Sequence, residues 1–403
     1  MAKKLSKLAL RLRSMTVFRD LLDDPVMGAL VRCLERLGSG AERFAPAYSE
    51  FVSRLYRAGY VSLAEYVRDR VFDSDNVYIR LMGAGTLPDK VLLDSTALDL
   101  DTLSCVAGLD SGRLLEEANC NLNLAKFEGK KLNLTNEYAQ RARDIDRFGY
   151  GVYARHRMFH WEHGRVAPVR TPDPIRLSEL IDYQREKQVI LDNTRALLSG
   201  KPAANMLLSG DAGTGKSSTV KAVVNELWQE GLRIVEIRKE QLHEIPGILD
   251  ELNLNPLKFI LFIDDLSFQK NDDNFSALKA MLEGSVSAKS RNVVIYATSN
   301  RRHLVKETSA DREGEDIHRG DAMQEAASLS ERFGLRVTFQ RPSKETYLSI
   351  VRELAKRDGL AVPDDELCAG AERFALSRAA RSARAARQYV DILLSQDPSK
   401  ILP

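Results

Sequence analysis

Over residues 1–167 the apolar positions recur at helical spacing. Leu5, Leu8 and Leu12 form one such set, and Phe51, Leu55 and Tyr56 another. Asp23-Asp24-Pro25 ends one helix and opens the next, because proline suits a first turn. Thr86 to Glu117 is rich in leucine and poor in aromatics. Three prolines in Pro168–Pro174 then read as an extended linker. A helix follows, with Ile181, Val189, Ile190 and Leu197 on its apolar side, Ser178 or Asp182 as its cap, and Gly200-Lys201-Pro202 at its end. From Ala204 to about Gln340 the period changes. Strands are expected at Asn205–Leu208, Leu232–Ile237, Phe259–Ile263, Asn292–Ala297 and Leu335–Phe339, alternating with helices. Several are continuous β-branched or aromatic runs, as in strands buried on both faces of a parallel sheet. Beyond Ser343 only helical patterns remain, at Glu345–Lys356, Asp364–Leu376 and Arg381–Leu394. The pattern predicts a mostly helical domain at 1–167, an α/β three-layer core with a parallel sheet at 168–341, and a small helical domain at 342–403.

Between the first expected strand and the helix after it lies Gly210-Asp211-Ala212-Gly213-Thr214-Gly215-Lys216-Ser217, followed by Ser218. It fits the phosphate-binding pattern G-x-x-x-x-G-K-[ST] at every position. The glycines let the backbone bend so that several N–H groups meet at one anion. Lys216 can reach the β- and γ-phosphates, and the Ser217 hydroxyl can ligate Mg²⁺. Val220, Val223, Val224 and Leu227 show that a helix opens here, and its N-terminal dipole favours phosphate.

Such a loop does not distinguish a kinase from a GTPase or a motor. The strand at Phe259–Ile263 ends in Asp264-Asp265, which places carboxylates at the ligand-binding edge of an open sheet. Asp264 is expected to hold Mg²⁺, mostly through water, and Asp265 to polarise the attacking water. The strand Val293–Ala297 ends in Thr298-Ser299-Asn300, where Asn300, with Thr298 in reserve, can orient that water. Arg332, in Ser330-Glu331-Arg332-Phe333-Gly334, precedes the last strand and suits phosphate recognition from a neighbouring subunit. Arg378, Arg381, Arg384 and Arg387 recur every third residue, and Arg384, then Arg387, is the candidate to reach the phosphates. No Asn-Lys-x-Asp guanine motif is present, and no acceptor pocket of a small-molecule kinase is evident.

Two other constellations carry bland readings beside their sharp ones. His156, His160 and His163 would share a face if helical, but the arginines around them oppose a cation. Residues 141–165 interleave arginines with Phe148, Tyr150, Tyr153, Phe159 and Trp161. Packing onto the core is the preferred reading, ahead of single-stranded nucleic acid or a protein partner. The charged loop between Asn300 and Ser328 is expected to be mobile without an adjacent subunit.

Composition narrows the class further. A net charge of +2 over 403 residues makes no global case for nucleic acid. The four cysteines are scattered without a C-x-x-C pair, which suits reduced thiols. No apolar run has membrane-spanning length, and the basic N-terminus lacks a signal-peptide core, so a cytoplasmic location without membrane attachment is expected.

The ordered set resembles the AAA+ ATPases: the P-loop, Asp264-Asp265, Thr298-Ser299-Asn300, Arg332-Phe333-Gly334 and an arginine-bearing C-terminal lid. Ile263–Phe268 with Ala297–Leu304 is more specifically similar to a bacterial family of AAA+ proteins of unknown function. The resemblance covers about Pro174 to Leu394. It implies Mg·ATP as ligand, Lys216 and Ser217 as the Walker A pair, and Asp264 as the Walker B metal acid. It further implies Asn300 as sensor 1, Arg332 as an arginine finger acting in trans within a ring or helical homo-oligomer, and Arg384 as sensor 2. Ile181 and Tyr183 would lie near adenine. Most AAA+ proteins carry Asp-Glu where this chain has Asp264-Asp265, so slow hydrolysis is one expectation. The functional reading is an ATPase that remodels a macromolecular partner, protein rather than nucleic acid. The alternatives are a nucleotide-gated binding module with little hydrolysis and a nucleic-acid loader.

Overall fold

A computed structural model describes residues 2–266, 278–279, 282, 291–300, 331–378 and 381–395. The chain divides into two compact units, Met1–Arg155 with Leu254–Leu257, and His156–Asn253 with Lys258–Pro403.

The first unit is helical among its described residues. Its helices are α1 (Ala2–Arg13), α2 (Pro25–Glu35), α3 (Ala41–Arg57), α4 (Leu63–Asp73), α5 (Val77–Gly83), α6 (Lys90–Ala107), α7 (Ser111–Glu117), α8 (Leu134–Arg143), α9 (Ile145–Phe148) and α10 (Val152–Arg155). Asp24 caps α2 by accepting from the Val26 and Met27 amides, with Pro25 in the first turn, as Asp23-Asp24-Pro25 predicts. The apolar stripes meet in one core that includes Leu12, Phe18, Leu30, Phe51, Leu55, Leu103 and Tyr138. Asp99 on α6 enters that core and accepts from the main-chain amides of Thr16, Val17 and Phe18, so the turn after α1 is satisfied by a side chain 81 to 83 positions away.

Among its described residues the second unit is built on seven strands: β1 (Met158–Glu162), β2 (Arg165–Pro168), β3 (Met206–Gly210), β4 (Leu232–Ile237), β5 (Lys258–Ile263), β6 (Val293–Ser299) and β7 (Leu335–Phe339). Their spatial order is β2-β1-β4-β5-β6-β3-β7. All neighbours are parallel except β1 and β2, which pair as an antiparallel hairpin at the edge. The fold is α/β, as the alternating pattern requires. The helices α11 (Gln184–Leu198), α12 (Lys216–Leu227) and α13 (Ile245–Asn253) flank the sheet. Met206, Leu208, Ile260, Phe262 and Val294 pack with Ile190, Val220 and Val224 on one face. The alternate residues Leu207, Phe259, Leu261, Ile263 and Ile295 are buried as well, which explains the unbroken apolar runs.

Among the described residues three more helices follow β7: α14 (Lys344–Arg357), α15 (Asp364–Ser377) and α16 (Ala383–Ser395). Tyr347, Ile350, Val351, Ala371, Ala386 and Val390 form their separate core.

Four expectations need correction. The boundary expected at 167/168 falls at 155/156, because residues 158–162 and 165–168 are strands of the sheet. The sheet is therefore mixed rather than wholly parallel. His160 lies within β1, so the three histidines do not share a helical face. Neither Ser178 nor Asp182 caps α11; Tyr183 occupies the cap position at φ 58° without a side-chain bond. Short strands with Arg and His among their apolar residues leave too little period to read. The charged segment between Asn300 and Ser328 lies outside the described residues.

Candidate functional site

The edge formed by the C-terminal ends of β3, β5 and β6 carries the loop and both acidic positions. Gly215, at φ 94°, turns the chain into α12, where Lys216 is the first residue. Only a residue without a β-carbon takes that angle at no cost. The Lys216 side chain is buried, and its Nζ donates to the carbonyls of Gly210 and Asp211, each at 2.8 Å, and to Asn300 Oδ1 at 2.9 Å. Burial holds its pKa below the ordinary lysine value, against the opposing pull of Asp211, Asp264 and Asp265.

Asp264 follows the last residue of β5. Its Oδ1 accepts from Ser217 Oγ at 2.6 Å, from Thr298 Oγ1 at 2.6 Å and from the Asp265 amide at 3.1 Å. Two hard oxygen ligands, from Ser217 and Asp264, thus stand side by side at the mouth of the loop. That donor set suits Mg²⁺, which prefers oxygen and retains water. Asp265 sits in the left-handed region at φ 54°, a conformation that Asp adopts more readily than most residues. Its Oδ1 accepts from Asn300 Nδ2 at 2.7 Å, and its amide donates to Thr298 Oγ1 at 2.9 Å. Asn300 therefore bridges Lys216 and Asp265, and Thr298 orders both aspartates.

A cavity of about 770 Å³ opens at this edge. Ala212, Gly213, Thr214, Gly215, Lys216, Ser217 and Ser218 line it together with Asp264, Asp265, Thr298 and Asn300. Ile181 and Tyr183 line it from the segment before α11, and Arg384 and Arg387 from α16. Gly210 and Asp211 are outside the lining; their carbonyls hold the lysine instead. The Tyr183 ring lies 5.0 Å from that of Phe339, and its hydroxyl donates to the Gln340 carbonyl.

Residues 154–397 match the model of a family described as protein of unknown function, DUF815. The chain belongs to this family. Two solved structures, both point variants of RuvB from Thermotoga maritima, are similar to this DUF815 chain in part. One is 13% identical with a TM-score of 0.32, the other 12% identical with a TM-score of 0.33. Each covers 54% of this chain and 71% of its own. At that level neither assigns a role to any residue here. No curated protein matches the chain.

Within this DUF815 chain the C-terminal arginines separate. Arg387 is held by Asp358 at 2.5 Å and by Asp391 at 2.8 Å. Arg381, in the connection before α16, pairs with Glu372 at 3.0 Å. Arg378 ends α15 over the Phe374 ring. Among the described residues, the Arg384 guanidinium has no hydrogen bond or ion pair, while its amide donates to the Gly213 carbonyl at 3.2 Å. Arg384 is thus both attached to the loop and available. Arg332 is exposed just before β7 and is outside the cavity lining.

The cavity wall and the residues that support it include positions that sequence reasoning passes over. Lys187 of α11 is buried, donates to the Leu180 carbonyl and lines the same space. It reads in the sequence as one more polar position on a helix. Ser382, whose Oγ accepts from the Ala385 amide, is a helix cap that comes close to Gly213. Asn225 on α12 donates to the carbonyls of Asp173 and Ile175, both in the cavity wall.

Proposed function

We propose that this protein is an AAA+-type ATPase that binds and hydrolyses Mg·ATP. The observation that carries this reading is the Asp264 carboxylate, 2.6 Å from the Ser217 hydroxyl, beside the buried Lys216. In this reading Lys216 leaves its loop carbonyls and binds the β- and γ-phosphates. The amides of Ala212 to Ser218 surround the phosphate chain, and Ile181 and Tyr183 border the base. Ser217 and Asp264 would hold Mg²⁺, which would supply neutralisation of the phosphate charge. Asp265 accepts a proton from the attacking water, and Asn300 fixes the carboxylate that does so. Arg384 approaches the phosphates from the lid, and Arg332 is supplied to a neighbouring subunit's site in a ring or helical homo-oligomer. Nucleotide turnover then shifts the lid against the core and moves a macromolecular partner, a protein in our reading. A cytoplasmic setting accords with this reading. None of the described helices is long and apolar enough to cross a membrane.

The test is calorimetry with ATP and Mg²⁺, followed by turnover on the purified oligomer with Lys216→Ala as control. Tight binding with turnover well above the control supports the ATPase. Absence of ATP binding by the native chain removes the reading.

A second reading, a nucleotide-gated module with little hydrolysis, rests on Asp265. It is one methylene shorter than glutamate, and its Oδ1 is already engaged by Asn300. Tight binding with turnover equal to the Lys216→Ala control selects it.

A further inference from the structure

The helical unit contains a cavity of about 250 Å³ lined by Tyr60, Asp69, Arg70, Phe72, Asp73, Arg141 and Arg155. Arg141, on α8, is stacked between two rings, with its guanidinium carbon 4.9 Å from the Phe72 centroid and 4.8 Å from that of Phe148. Its Nε is buried without a hydrogen bond, as is that of Arg70. Among the described residues the Arg141 guanidinium has no hydrogen bond and no ion pair. Both carboxylates of the cavity are engaged by other groups. Asp73 is paired with Arg155 and, at 3.4 Å, with Arg70. Asp69 accepts from Tyr60 at 2.8 Å and lies 3.6 Å from Arg68.

A planar guanidinium fixed between two rings has lost its freedom to seek partners elsewhere. Its buried Nε–H remains costly while unpaired. Three guanidinium groups face two carboxylates, so one positive charge is in excess. Burial also pushes the Arg141 pKa down, as expected for a cation short of compensation. The Arg155 side chain is 41% exposed, so the cavity is reached from solvent at that end.

We propose that this cavity binds a single carboxylate, received on the Arg141 fork. One negative charge balances the cluster, and the planar group matches the fork in bidentate geometry. A doubly charged phosphate would meet Asp69 and Asp73 and be repelled. The carboxylate comes either from a small organic acid or from an acidic side chain of a protein partner. This site is independent of the ATPase reading.

The test uses the full chain and three probes at constant ionic strength: acetate, a blocked peptide carrying one glutamate, and inorganic phosphate, each against chloride. Binding is followed by the NMR signal of the Arg141 Nε–H. We expect a saturable shift with acetate. A shift with the peptide as well places the source on a protein; a shift with acetate alone places it on a small acid. In Arg141→Gln, apparent affinity for acetate falls at least about tenfold, with Arg11→Gln as an unaffected control. Melting with and without acetate gives the readout for both variants. No saturable shift with either carboxylate in the native chain overturns the proposal, whether or not the variants fold. Phosphate binding tighter than acetate overturns the choice of carboxylate.

Discussion

Asn300 donates from Nδ2 to Asp265 Oδ1 at 2.7 Å. Its own Oδ1 accepts from Lys216 Nζ at 2.9 Å. One amide thus links Lys216, which binds phosphate in the proposed reading, to Asp265, which polarises water in it. Asn300→Ala cuts both bonds and frees the Asp265 carboxylate to rotate. The expected result is a fall in kcat of about 10²-fold, the range for a misplaced general base, with KM for ATP changed far less. Steady-state kinetics on the purified protein measures the split. A change confined to KM would remove Asn300 from the water-orienting role.

Asp265 separates reach from backbone fit. Asp265→Glu extends the carboxylate by one methylene, and turnover should rise if reach limits hydrolysis. The position is at φ 54°, where Asp is tolerated better than Glu, so the melting temperature should fall at the same time. The left-handed backbone costs an ordinary residue about 1–2 kcal/mol. Asp265→Asn keeps the left-handed preference and removes the proposed proton acceptor. It should keep ATP affinity and lose most of the turnover. The three proteins compared by melting and by turnover distinguish a short base from an absent one.

Lys216 predicts a pH dependence. Its folded pKa is depressed by burial relative to 10.5. In the window between the two values the unfolded chain holds more protons. The lysine's contribution to stability therefore rises with pH across that window and is constant below it. ATP affinity runs the other way, because phosphate needs the ammonium. Above the depressed pKa of the free protein, affinity should fall by about tenfold per pH unit. Lys216→Arg keeps its charge through that range. Its affinity, weaker at the outset, should therefore be flat there. Equal slopes for the two proteins would show that another group titrates.

Much of this site can be read from the chain because its parts are local. The eight-residue loop, Asp264-Asp265 and Thr298-Ser299-Asn300 each follow a strand whose apolar run is unmistakable, and parallel pairing brings the strand ends together. The β1–β2 hairpin is illegible because His160 and Arg165 interrupt two short strands, and an edge position tolerates them. The choice between Arg384 and Arg387 is equally invisible in sequence. It turns on Asp358, 29 residues from Arg387, which only the packing of α14 against α16 brings within reach.

That packing makes the two arginines behave differently on substitution. Arg387→Ala removes pairs to Asp358 and Asp391 on a partly exposed surface. It should cost about 0.5–1 kcal/mol of stability and leave the ATP dissociation constant nearly unchanged. Arg384→Ala removes a guanidinium with no intrachain partner among the described residues. Stability should be unaffected, while ATP affinity or turnover falls about tenfold or more. Melting and calorimetry on both variants test the assignment. A larger loss of affinity in Arg387→Ala would reverse it.

Gly213 tests whether the lid and the loop act as one. It sits at φ 78°, and a β-carbon there would lie 3.0 Å from both Ser382 Oγ and Arg384 Cβ. Its carbonyl accepts from the Arg384 amide. Gly213→Ala therefore strains the loop and presses directly on the start of α16. The sheet beneath is untouched, since Leu207 and Leu208 are paired on both sides with β6 and β7. We expect the α/β core to melt within a few degrees of the native protein, while ATP affinity drops about tenfold or more through displacement of Arg384 and strain in the cradle. Hydrogen exchange supplies the second readout, with protection of the Arg384 and Ala385 amides falling while that of β3 is retained. Unchanged exchange at α16 with lost affinity would confine the effect to the loop and separate the lid from nucleotide binding.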